Sequence, residues 1–146
     1  LKQRHFRVGA IKHDAHRFDI DHPGKDSHRF TEAGADTMLV SSSSKLALVK
    51  QHRQAPEIND LITTYFSDVD IVLTEGFKQS SMPKIEVFRH HYSMELISRG
   101  EKSDPSLIAV ASDAPLEVDV PVFDLEDISA LTDFLVSTFS LSRSAG

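Results

Sequence analysis

The stretch Asp70-Ile71-Val72-Leu73-Thr74-Glu75-Gly76-Phe77-Lys78 decides how the chain is read. Its apolar centre is nearly continuous, the pattern of a strand covered on both faces, and it stops at an acid followed by glycine. Immediately upstream, Pro56 opens the clearest helix. Ile58, Leu61, Ile62, Tyr65 and Phe66 fall at i, i+3, i+4, i+7 and i+8, one apolar stripe that should pack on a sheet. Farther upstream, Phe6-Arg7-Val8-Gly9-Ala10-Ile11-Lys12-His13 has the short apolar centre of a buried strand and breaks into a long polar loop over 14–26. A short helix over 27–33 follows, with Asp26 as its N-cap and Gly34 at its end, then strands over 36–41 and 46–50. Downstream, strands are predicted over 84–89 and 107–111, with a short last one at Pro121-Val122-Phe123. The acids of Asp124-Leu125-Glu126-Asp127 start a terminal helix whose stripe is Ile128, Leu131, Phe134, Leu135, Thr138 and Phe139. Strands alternating with amphipathic helices predict an α/β fold, a mostly parallel sheet flanked by helices. Residues 1–146 read as one domain without internal repeats, ending in a frayed tail over 142–146.

Composition narrows the function. The 146 residues include no Cys, which excludes thiolate metal sites and Cys nucleophiles. Sixteen Lys and Arg against 22 Asp and Glu give a formal charge of −6, which disfavours a broad grip on nucleic acid or on an anionic membrane. No apolar run approaches the roughly 20 residues that span a bilayer, and the first residues have no secretory apolar region, so the expected compartment is the cytoplasm. The chain begins with Leu, from which we expect that residues upstream are missing.

In a parallel α/β sheet, ligands sit outside the C-terminal ends of the strands. Three such ends are unusually polar here: Lys12-His13-Asp14-Ala15-His16, Thr74-Glu75-Gly76-Phe77-Lys78, and Ala111-Ser112-Asp113. An acid at the end of a buried strand, as Glu75 is, stands where carboxylates hold hydrated magnesium or orient a water; its bland alternative is a cap or an ion pair with Lys78. Gly76 lets the backbone turn beside a ligand. Asp113 can accept two hydrogen bonds from the N1–H and N2–H edge of guanine, or can simply serve as a turn residue before Pro115. Pro23-Gly24-Lys25-Asp26-Ser27 looks like the end of a phosphate-binding loop and fails, because that pattern needs Gly at position 19 and Ser or Thr at position 26, where Asp19 and Asp26 stand. It reads instead as a polar lid or switch loop, or as a solvated turn made by Pro-Gly. His13, His16, Asp19, Asp21 and His22 suggest a metal cluster, but short spacing in a loop does not set a coordination geometry. His90-His91 cannot chelate as strand neighbours, since they point to opposite faces.

Taken in order, Val8-Gly9-Ala10-Ile11-Lys12-His13-Asp14, Asp21-His22-Pro23-Gly24-Lys25-Asp26-Ser27, Glu32-Ala33-Gly34-Ala35, Leu73-Thr74-Glu75-Gly76-Phe77-Lys78 and Ile108-Ala109-Val110-Ala111-Ser112-Asp113 resemble the MobB family of molybdopterin-guanine dinucleotide biosynthesis adaptor proteins. The resemblance runs from about Arg7 to the terminal helix. It implies a P-loop NTPase-like fold whose first strand, Walker A loop and helix precede the counterpart of Arg7 and are missing from this chain. It further implies GTP and Mg²⁺ as ligands with molybdopterin left open, a homodimer, partnership with a MobA-type guanylyltransferase, and at most weak GTPase activity. Carried over residue by residue, Glu75 becomes the catalytic and metal-holding acid and Asp14 a second metal carboxylate. Lys12, His13 and Gly76 border the nucleotide with Asp113 at the guanine edge, while His16, Gly24, Lys25 and Asp26 form the switch or cofactor loop. Two other readings compete: an ATP-dependent small-molecule kinase or ligase on the same fold, and a non-catalytic dimerisation scaffold.

Overall fold

The structure, a computed structural model, describes residues 1–14, 18, 20–93, 95–101 and 103–142. His16, Asp19 and the last four residues of the expected frayed tail thus lie outside the described residues. The chain divides into two compact units, one formed by Leu1–Ala10, Val69–Leu73 and Phe77–Gly146, the other by Ile11–Asp68 and Thr74–Gly76. Strands β1 (Val8–Lys12) and β4 (Ile71–Glu75) both pass from the first unit into the second and pair with each other.

In the first unit, β5 (Lys84–Phe88), β6 (Leu107–Ser112) and β7 (Val122–Asp124) form a parallel sheet in the order β5-β6-β7. The central strand is the one that the apolar run over 107–111 predicts: Ala109 and Val110 have no exposed surface, and Leu107 and Ala111 are buried with them. Phe88, Leu107 and Val110 form the core, with Leu96, Leu116, Val118 and Val120 packed around it. Helix α3 (Ile128–Thr138) packs on β7, where the rings of Phe123 and Phe134 lie 5.2 Å apart. It begins four residues later than Asp124, because Asp127 is its cap and accepts a 2.9 Å hydrogen bond from the Ala130 N–H.

Polar side chains hold the connection from β5 to β6. Glu86 accepts from the backbone N–H groups of Ile97 and Ser98 at 2.7 and 2.9 Å. Arg99 donates to the Asp104 carbonyl and to the Asp119 carboxylate, each at 2.7 Å. Asp104 receives the Lys84 ammonium at 2.5 Å and both the hydroxyl and the N–H of Ser106, contacts that hold its carboxyl well below the usual carboxylate range.

The second unit is built on a hairpin. Strands β2 (Thr37–Ser41) and β3 (Leu46–Lys50) pair antiparallel, with Ser41 opposite Leu46, and the Ser42 hydroxyl accepts from Ser44 and Lys45 N–H to close the loop. Helix α1 (Asp26–Glu32) packs against β2, and α2 (Ile58–Tyr65) completes the unit. Three local expectations shift. Lys25, extended at ψ 154°, is the cap of α1, so Asp26 is its first residue. Helix α2 begins after Glu57 and its stripe is only half covered, Tyr65 being 41% exposed. Leu73 on β4 is 41% exposed, so that strand is not covered on both faces. Among the described residues β4 pairs with β1 alone, and a two-stranded pair offers less cover than the interior of a wide sheet.

Candidate functional site

The β1–β4 pair delivers the polar ends to one place. At its start, the Arg7 carbonyl accepts from the Asp70 N–H at 2.8 Å, while the buried Asp70 carboxylate accepts from the Arg7 N–H at 2.7 Å and from its guanidinium at 3.1 Å. At its finish, within the second unit, the His13 N–H donates to the Glu75 carbonyl at 2.9 Å. Residue numbers rise together along both strands, so the pair is parallel and both C-terminal ends open side by side. Lys12, His13, Asp14 and Glu75 are all exposed there.

Gly76 makes this adjacency possible. Its φ is +88°, in the left-handed region, and a Cβ on it would stand 2.7 Å from the His13 carbonyl oxygen and 3.1 Å from the His13 Cβ. The obstacle is backbone, which cannot rotate away as a side chain can. Only glycine fits the turn that follows Glu75.

Two carboxylates and a lysine at neighbouring strand ends suit a hard divalent cation that keeps most of its waters and is held by one or two acids. Asp14 and Glu75 are of that chemistry. A site made wholly of protein ligands is absent: among the described residues no group of three or more His, Asp or Glu is placed to hold a metal. The His90 and His91 rings sit edge to face with centroids 6.3 Å apart.

The other predicted residues lie elsewhere. Asp113 belongs to the first unit, where one carboxylate oxygen accepts from the His90 N–H at 2.9 Å and ties the segment after β5 to the end of β6. Pro23-Gly24 makes a turn, with Gly24 at φ +89° and the Lys25 N–H donating to the His22 carbonyl at 3.2 Å. Lys25 and Asp26 are exposed beside it, and Asp26 lies 3.8 Å from Arg29. Sequence reasoning missed a groove in the second unit, of about 540 Å³, to which Phe18 and Ile20 contribute. Their presence as apolar residues inside a polar loop was the available signal.

Parallel strand pairs with helices along the chain make this an α/β protein, and its likeness to solved MobB structures is consistent with a P-loop NTPase-like fold. The sequence pattern of the family described as "MobB: Molybdopterin guanine dinucleotide synthesis protein B" matches residues 1–113, and the chain belongs to that family. It is 38% identical over 145 residues to the molybdopterin-guanine dinucleotide biosynthesis adapter protein of Escherichia coli (strain K12), covering 93% of this chain and 78% of that one. The adapter protein of the same description from Haemophilus influenzae is 33% identical over 136 residues, covering 92% of this chain and 74% of the relative. Among solved structures, the crystal structure of Bacillus subtilis MobB superposes with a TM-score of 0.72 at 25% identity, over 98% of this chain and 85% of that chain.

Proposed function

We propose that the chain is an adapter in molybdopterin-guanine dinucleotide biosynthesis that binds GTP with magnesium at the C-terminal ends of β1 and β4. The adapter role rests on the family and on relatives so named at 38% and 33% identity. The nucleotide site rests on one observation, the contact of Gly76 with the His13 carbonyl, which sets Glu75 beside the Lys12-His13-Asp14 segment.

In this reading Glu75 and Asp14 hold the hydrated ion through its waters, and Lys12 and His13 border the phosphates. Magnesium, when bound, neutralises phosphate charge. Gly24, Lys25 and Asp26 form a loop that responds to the ligand. The protein acts in the cytoplasm as a homodimer and engages a MobA-type guanylyltransferase.

Synthesis of the dinucleotide by a purified guanylyltransferase, with and without the full-length protein, tests the adapter role. Stimulation that requires GTP and magnesium is expected. An unchanged rate at every ratio of the two proteins overturns it.

A further inference from the structure

The groove of the second unit has a composition that the strand-end site does not use. Phe18, Tyr65 and Phe66 give it aromatic rings and Val49 an aliphatic wall, while Asp21 and His28 supply its polar side. Asp21 is held firmly: one carboxylate oxygen accepts from the His22 N–H at 2.9 Å and from the Ser27 hydroxyl at 2.8 Å. Its other oxygen, Oδ2, is shielded from solvent and has no hydrogen-bond partner among the described residues. His28 Nδ1 is shielded too, and the Glu32 carboxylate lies 3.2 Å from it.

Buried polar atoms are nearly always paired, so the Asp21 oxygen left over beside the groove calls for a ligand donor that completes it. The lining asks for a flat ring to lie against aromatic faces and for N–H donors to reach a carboxylate. A 2-amino-4-oxopyrimidine edge offers both, and guanine and pterin share it. Lys50 at the same groove offers an ammonium to an anionic arm, with the Glu32 carboxylate also in the lining. A volume of about 540 Å³ suits a bicyclic ring with a substituent.

We propose that this groove binds a pterin, with Asp21 accepting from its 2-amino-4-oxopyrimidine edge and Tyr65 lying against the ring. The proposal rests on the adapter reading above, which assigns the guanine nucleotide to the strand ends and leaves the pterin without a place.

Pterins fluoresce, so the test is anisotropy of 6-hydroxymethylpterin titrated with the full-length protein, its Asp21→Asn and Tyr65→Ala variants, and competitors. Asn at 21 keeps an oxygen for His22 and Ser27 but turns a donor toward the ligand. Weakening of tenfold or more is expected for Asp21→Asn and of threefold or more for Tyr65→Ala, with the affinity for Mg-GTP unchanged. Lumazine, which lacks the 2-amino group, should compete at least tenfold more weakly than pterin. Absence of pterin binding, equal competition by lumazine, or wild-type affinity in a folded Asp21→Asn protein overturns the proposal. Should Asp21→Asn not fold, an unchanged affinity in Tyr65→Ala overturns it alone. Displacement of pterin by GMP at equal concentration assigns the groove to guanine and also overturns it. Absence of pterin binding by the unsubstituted protein, with its GTP binding and stimulation intact, refutes the groove alone, whereas absence of all three refutes the adapter reading with it.

Discussion

Gly76→Ala perturbs the turn on which the proposed nucleotide site depends. Two contributions add. A residue with a Cβ held in the left-handed region costs about 1–2 kcal/mol, and Gly76 sits at φ +88°. The new methyl would stand 2.7 Å from the His13 carbonyl oxygen, so backbone must move and the 2.9 Å bond from the His13 N–H to the Glu75 carbonyl is strained or lost, for about 1 kcal/mol more. The sum is about 2–3 kcal/mol. Gly24→Ala supplies the control, since Gly24 has nearly the same φ of +89° but nothing within 4 Å of its Cβ position. There the conformational cost is partly offset by the lower entropy of the unfolded alanine chain, leaving about 1 kcal/mol. Urea unfolding of both variants beside the wild type measures the difference, with an unchanged denaturant slope showing that the folded and unfolded states remain comparable. The conformational cost and the unfolded-chain offset are common to both variants, so Gly76→Ala should exceed Gly24→Ala by about 1 kcal/mol, the loss at the His13–Glu75 bond, and should weaken Mg-GTP binding as well. Equal destabilisation by the two variants refutes the argument that close approach, and not φ alone, demands glycine at 76.

Three further outcomes are expected. The Lys84 ammonium and Ser106 lower the Asp104 carboxyl in the folded protein, so its contribution is complete above the unfolded value of about 3.9 and is lost as pH falls toward the folded value. Urea midpoints taken from pH 7 down to pH 2 should therefore show a shallower acid loss in Asp104→Asn than in the wild type, the variant being less stable at pH 7. Val110 has no exposed surface, and Val110→Ala should cost about 2 kcal/mol in the same assay, against less than about 0.5 kcal/mol for Val87→Ala, where the side chain is 64% exposed. Asp127→Ala removes the side-chain cap of α3 and should cost about 1 kcal/mol, with a matching loss of helix content on thermal melting.

Where the fold depends on neighbours in sequence, it was legible. The apolar runs of β1, β4 and β6, the Pro23-Gly24 turn and the stop at Gly34 follow from local pattern and backbone preference, and all appear where expected. Glu75-Gly76 was readable for the same reason, as an abrupt polar end to an apolar run. Strand partners were not, because pairing is decided by contacts far apart in sequence. Nothing in Thr37–Ser41 or Leu46–Lys50 says that they pair only with each other among the described residues. The groove escaped notice for a similar reason. Its rings come from Phe18 and from Tyr65 and Phe66, separated by most of the second unit, and Tyr65 had already been assigned to a stripe expected to pack on a sheet. Asp113 was open between a local turn or cap and a ligand contact, and the structure shows a third role, accepting from the His90 N–H across 23 residues, which no local pattern announces.

In the proposed function, the acid at the end of β4 organises a magnesium-dependent guanine nucleotide site in an adapter of molybdopterin-guanine dinucleotide synthesis. Isothermal titration of the full-length protein with GTP and with ATP, each with and without magnesium, tests it most directly when repeated on Glu75→Gln, which keeps the side-chain shape and removes its charge. GTP binding is expected to require magnesium, to exceed ATP binding, and to weaken tenfold or more in the variant. Absence of nucleotide binding, or Glu75→Gln binding Mg-GTP as tightly as the wild type, contradicts it.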